Sequence, residues 1–79
     1  MSVRDDVVSL VSSLFFYGNV ESLKDSDSLM ESGKVDSIGM MELVSSLEKK
    51  FDFKVDVNDL LPENFDSIEA ITRYVKSRE

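Results

Sequence analysis

The chain has no cysteine, no histidine and no tryptophan, and only one proline and three glycines in 79 residues. Each absence removes a class of chemistry. Without cysteine there is no encoded thiol nucleophile and no disulfide framework, and without cysteine and histidine together there is no Cys/His zinc site. Without imidazole, acid–base work would fall to carboxylates, lysine or tyrosine. Cations are scarce as well: nine Lys and Arg stand against sixteen Asp and Glu, for a net charge of -7. That balance argues against a nucleic-acid binder, which needs clustered Lys and Arg, and points to protein partners with basic surfaces. Apolar runs are short. Leu14-Phe15-Phe16-Tyr17 is as long as they become, against the roughly 20 residues of a membrane-spanning helix. Met1 to Asp6 lacks the charged and apolar regions of a secretory signal, so the expected compartment is the cytoplasm.

What is present favours helix. Few Gly and Pro and few alternating segments predict an all-α chain with one domain over residues 1–79. The first helix is expected from Val3 to Phe15, with Ser2 and Asp5 as a capping box and Val3, Val7, Leu10, Val11 and Leu14 on one face, flanked by Val8 and Phe15. Gly18-Asn19 is the expected stop. A long connection follows from Phe16 to Val35, anchored by Leu23, Leu29, Met30 and Val35, with a helical turn near Ser26 to Met30. The second helix is expected from Asp36-Ser37 to Phe51, Asp36 being the N-cap. Met40, Leu43, Val44, Leu47 and Phe51 form its buried stripe. Asn58 would cap a one-turn helix over Asp59 to Leu61 that Pro62 stops. The last helix is expected from Ser67 to Lys76, with Asp66 and Glu69 as its capping box.

The informative stretch is Gly33-Lys34-Val35-Asp36-Ser37-Ile38-Gly39-Met40-Met41-Glu42-Leu43. Ser37 falls on the first turn of a helix at the end of a long loop, so its hydroxyl is expected to be exposed. The free N–H groups and positive potential of a helix N-terminus favour a covalently attached phosphate. Ile38 and Met41 are apolar yet lie off the buried stripe, and Glu42 and Glu48 share their outward side. An apolar patch rimmed by acids beside a modifiable serine reads as a docking surface.

These residues resemble the acyl carrier protein family. Asp36-Ser37-Ile38 is similar to its Asp-Ser-Leu attachment motif, Met41-Glu42-Leu43 to its Val-Glu-Leu, and Leu47-Glu48 through Phe51 continues at the same spacing. Asn64-Phe65-Asp66-Ser67-Ile68 looks like the loop before the family's last helix. The resemblance runs from about Ser28 to Val75. It implies a four-helix bundle with three main helices, one short helix and a long first loop. It implies 4'-phosphopantetheine, from coenzyme A, joined to Ser37 beside Asp36, with cargo held as a thioester. A borrowed thiol fits a chain without cysteine. It further implies a phosphopantetheinyl transferase and an acyl- or aminoacyl-activating enzyme or synthase as partners, docking on Ile38, Met41, Glu42 and Glu48, and no catalysis by the chain itself. In such carriers the core can open to shelter an acyl chain, which makes Leu47, Phe51, Leu61 and Ile71 candidate lining residues. Gly39, Lys49-Lys50 and a glycine four residues before the serine depart from housekeeping fatty-acid carriers. The longer spacing from glycine to serine looks more like aminoacyl, D-alanyl or specialised acyl carriers.

The alternative is an unmodified acidic helical adaptor that binds a basic partner protein, for which Ser37 would be only a helix-start residue. A small enzyme is disfavoured, since no nucleophile stands with a base partner. Asp25-Ser26-Asp27 opens like a calcium loop, but Leu29 and Met30 fall where ligands and a turn glycine are needed. High charge and a small apolar patch predict a monomer with no metal.

Overall fold

The computed structural model describes residues 2–16 and 24–78. Its elements run α1 (Val3–Val11), a π-turn (Ser12–Phe16), α2 (Ser37–Phe51), a 3-10 turn (Val57–Asp59), α3 (Pro62–Phe65) and α4 (Ile68–Ser77). Among the described residues there is no strand, and no helix is long and apolar enough to cross a membrane. The expected stop at Gly18-Asn19 and the anchor Leu23 lie outside the described residues.

Local chemistry sets the helix ends. The Ser2 side chain accepts from the Asp5 N–H, as its capping position requires. The Asp36 side chain accepts from the Gly39 N–H and starts α2. At the far end of α2, Asp52 takes a left-handed conformation (φ 54°) and its N–H reaches the Glu48 carbonyl. Asp is one of the few non-glycine residues that tolerates this region. Lys49 and Lys50 lie in that last turn, where cations complement the negative end of the helix dipole.

The apolar stripes meet in one core. Val7 and Val11 of α1, Leu43, Val44 and Leu47 of α2, Phe65 of α3, and Ile68, Ile71 and Val75 of α4 are buried. Leu29 and Val35 join them from the loop, as expected, whereas Met30 is 39 % exposed. The π-turn carries α1 past Val11. Its i→i+5 bonding winds the chain less per residue than an α-turn, which swings Phe15 back toward the Val11 face. Phe15 packs against the core as a partly buried side chain.

Four expectations are corrected. The helical turn of the loop lies at Ser28 to Gly33, not at Ser26 to Met30: Ser32 N–H bonds to Ser28 O and Gly33 N–H to Met30 O. Pro62 does not stop a helix; it opens α3 at the first position, where a missing N–H carries no penalty. The short turn before it is 3-10 and is capped by Asp56, not Asn58. The N-cap of α4 is Ser67, which accepts from the Ala70 N–H, and not Asp66.

Asp66 is used instead to hold the loop. Its carboxylate accepts from Ser28 Oγ (2.5 Å) and from the Met30 N–H (2.9 Å), while its carbonyl accepts from the Leu29 N–H (2.7 Å). A second tie comes from Arg4, which grips Asp25 with Nε and Nη2 at 2.6 and 2.7 Å. Asp25 in turn accepts at its carbonyl from the Glu69 N–H (2.9 Å). The Tyr74 hydroxyl donates to Asp59 Oδ2 (2.9 Å) and joins α4 to the 3-10 turn. Burial, followed by that bond, raises the Tyr74 pKa.

Two predictions follow from these ties. Asp66→Ala strands the loop donors and should lower stability by about 1–3 kcal/mol, read as a thermal midpoint lower by roughly 5 °C or more. Ser28→Ala should cost less in that background than in the parent, because only the Glu31 N–H bond to Ser28 Oγ then remains to be lost. The Arg4 hydrogen bond holds the Asp25 carboxyl below the usual carboxylate range. Its contribution is therefore present above that range and is lost as pH falls through the depressed value. Since both side chains are substantially exposed, the effect is small. Asp25→Asn should flatten the acid limb of the stability–pH curve below about pH 4, measured by denaturant titration at a series of pH values.

Candidate functional site

The site is built where the loop becomes α2. Val35 is buried and fixes the approach of the chain. Asp36, in extended conformation, turns its Oδ1 onto the Gly39 N–H at 2.7 Å, and its carbonyl accepts from the Met40 N–H at 2.8 Å. Ser37 is then the first helical residue and is exposed. An exposed hydroxyl on a capped first turn is within reach of a modifying partner. The helix N-terminus behind it favours a phosphodiester.

Ile38 is 79 % exposed and Met41 55 % exposed, and Glu42 is exposed beside them. Three of the four expected docking residues are thus displayed within two turns of Ser37. Glu48 is not displayed in the same way. It is half-buried and its Oε2 accepts from the Val55 N–H at 2.8 Å, which ties the chain after α2 back onto the helix. Asp36 does local work as a cap. The two aspartates that resembled a calcium loop are occupied by protein donors: Asp25 by Arg4, and Asp27 Oδ2 by the Lys24 N–H (3.0 Å).

A small apolar cleft of about 140 Å³ opens on one side of Ser37, which contributes to its rim. Met30 from the loop, Met40, Met41 and Val44 from α2, and Leu61 and Phe65 from the opposite wall line it. Of the four residues expected to line a chain-sheltering cavity, only Leu61 does so. Leu47 and Ile71 are wholly enclosed in the core, and Phe51 faces a separate surface depression beside Lys50 and Arg78. Met40, expected in the buried stripe, is half-buried: it packs against the core and also lines the cleft. Sequence reasoning also missed Val57, which is 75 % exposed on the 3-10 turn. The signal for the far wall was Leu60-Leu61-Pro62, an apolar triplet that a stopping turn did not explain.

These features fit a phosphopantetheine group. Ser37 is exposed, the helix end suits a phosphate, and an apolar recess adjoins the serine. The comparisons agree. Residues 5–75 match the family model described as a phosphopantetheine attachment site. A D-alanyl carrier protein of Streptococcus uberis is 32 % identical over 76 residues, covering 96 % of this chain and 94 % of that protein. An acyl carrier protein of Chlamydia muridarum is 30 % identical over 79 residues, covering 100 % and 99 %. The fold is similar to the solution structure of a holo acyl carrier protein from Nitrosomonas europaea, with a TM-score of 0.84, 21 % identity and coverage of 99 % and 96 %. An unmodified adaptor is not favoured by this set. The chain belongs to the phosphopantetheine-attachment family and is an acyl-carrier-type protein whose prosthetic group is phosphopantetheine.

Proposed function

We propose that Ser37 is the residue that bears the prosthetic group, that a phosphopantetheinyl transferase installs it from coenzyme A, and that the 1–79 chain acts as one non-catalytic carrier domain in the cytoplasm. The observation that carries this reading is the exposed Ser37 hydroxyl on the Asp36-capped first turn of α2. When bound, the group supplies a flexible arm and a thiol that holds acyl or aminoacyl cargo as a thioester. The protein's own contribution is positional. Asp36 fixes where the helix begins, so Ser37 is offered at one place. Ile38, Met41 and Glu42 give a partner something to grip next to the hydroxyl. Tethering raises the local concentration of cargo at each partner enzyme.

The docking surface should be small and its complexes short-lived, because cargo is passed on. The excess of acids speeds encounter with basic surfaces and makes it sensitive to salt. The apolar cleft supports seating the non-reacting end of a short neutral cargo, since about 150 Å³ of apolar cavity accommodates a benzene-sized group. The relatives include D-alanyl and acyl carriers, so the cargo class is kept at acyl or aminoacyl. Phosphopantetheine-dependent fatty-acid or specialised-metabolite assembly is the setting into which such a carrier fits.

Incubation with coenzyme A and a broad-specificity transferase should add one phosphopantetheine to the parent and none to Ser37→Ala, read by intact mass. Equal gain by both would remove Ser37 from the proposal. Met41→Glu and Glu42→Lys should slow modification by about fivefold, equivalent to roughly 1 kcal/mol at an interface. Their thermal midpoints should stay close to the parent's, as expected for exposed positions. Parental rates in both variants would place the docking surface elsewhere.

A further inference from the structure

The first turn of α2 is flanked on the side away from the cleft by an aromatic ring. Gly39 is the third residue of that helix, and a Cβ added there would stand 3.2 Å from Phe15 Cε1, 3.3 Å from Asp36 Oδ1 and 3.5 Å from Val35 Cγ1. The first of these is tighter than ordinary van der Waals contact, so the ring lies where a residue-39 side chain would begin. No left-handed backbone requires glycine here, since Gly39 is helical. The reason for glycine is space. The N–H that Asp36 caps belongs to this same residue. The ring, the cap and the bare backbone therefore meet at one point, two residues from the Ser37 hydroxyl.

Phe15 reaches that point through the π-turn. Continued α geometry would leave it at the edge of the α1 stripe; the wider turn returns it toward the Val11 face and over α2. Such turns recur at functional positions in helices.

We propose that Phe15 and Gly39 are a positioning pair: the ring, seated on the side-chain-free backbone of Gly39, holds the capped first turn of α2 in register and so sets how Ser37 is presented to the transferase. This rests on Ser37 being the modified residue. Filling residue 39 displaces the ring or the turn. Because the hydroxyl must meet its reaction partner within a fraction of an ångström, a small shift is amplified in rate. The defect belongs in kcat, and the KM for coenzyme A, whose binding is the transferase's own, stays unchanged.

The test is steady-state modification with coenzyme A and a broad-specificity transferase, using full-length parent, Gly39→Ala, Phe15→Leu, Gly39→Ala with Phe15→Leu, and Phe15→Ala. Gly39→Ala should lose about fivefold or more in kcat with KM for coenzyme A unchanged. The smaller side chain of the double variant should return kcat to within about twofold of the parent, because relief of the clash is specific to this pair. Phe15→Ala leaves the sequence of α2 unchanged and offers an independent route should Gly39→Ala fail to fold. It should lower kcat and speed hydrogen exchange of the Gly39 amide. Parental kcat in Gly39→Ala, a loss that Phe15→Leu does not relieve, or parental kcat and exchange in Phe15→Ala would each overturn the pair. A parent that takes up no phosphopantetheine overturns the Ser37 reading itself, whereas a modified parent with unaffected variants overturns only this inference.

Discussion

One hydrogen bond organises the functional end of the molecule: Asp36 Oδ1 to the Gly39 N–H, at 2.7 Å. A helix can begin at any of several residues when nothing selects among them, and its first N–H groups are left without partners. The Asp36 carboxylate selects one start. Everything nearby is counted from it. Val35 falls inward, Ser37 becomes the first helical residue, Ile38 and Met41 face outward, and Leu43, Val44 and Leu47 face the core. A start shifted by one residue would rotate the whole helix by about 100° relative to its cap and would exchange exposed apolar residues for core residues.

The cap works only if the chain reaches it from a fixed direction. A connection this long has no period of its own to hold it, so the protein ties it at separate points. Leu29 and Val35 are buried. Asp66 binds the loop through side chain and backbone, and Arg4 and Glu69 hold Asp25. These ties come from α1, from the start of α4 and from the junction before it, so the loop reads the packing of the bundle and transmits it to the start of α2. The same ties place Met30 on the wall of the cleft beside Ser37. Packing, loop and site are therefore linked by identifiable bonds. Lys49 and Lys50 sit at the far end of α2, where they complement its dipole.

Features governed by near neighbours could be read from sequence. The α2 stripe follows from a 3.6-residue period over fifteen residues, and its start from one aspartate. Ser37, Ile38 and Met41 were placed correctly because their exposure is decided by that same period. Features decided by distant partners could not be read. Asp66 and Ser67 are both competent caps; Ser67 won because Asp66 was taken by Ser28 and Met30, some 36 to 38 residues away in sequence. Pro62 has two meanings, end and beginning, and α3 is too short at four residues for a period to choose between them. Glu48 looked like a free surface acid until the chain after α2 folded back and presented the Val55 N–H. The cleft and the Phe15–Gly39 contact bring together residues from separate elements, and no local pattern announces either.

The capped helix start should single out one hydroxyl among the thirteen serines of the chain. Peptide-level mass spectrometry of the parent after reaction with coenzyme A and transferase tests it directly. The account predicts phosphopantetheine on the peptide containing Ser37, with fragment ions assigning it to that residue and to none of the other twelve. Assignment to any other serine would contradict it.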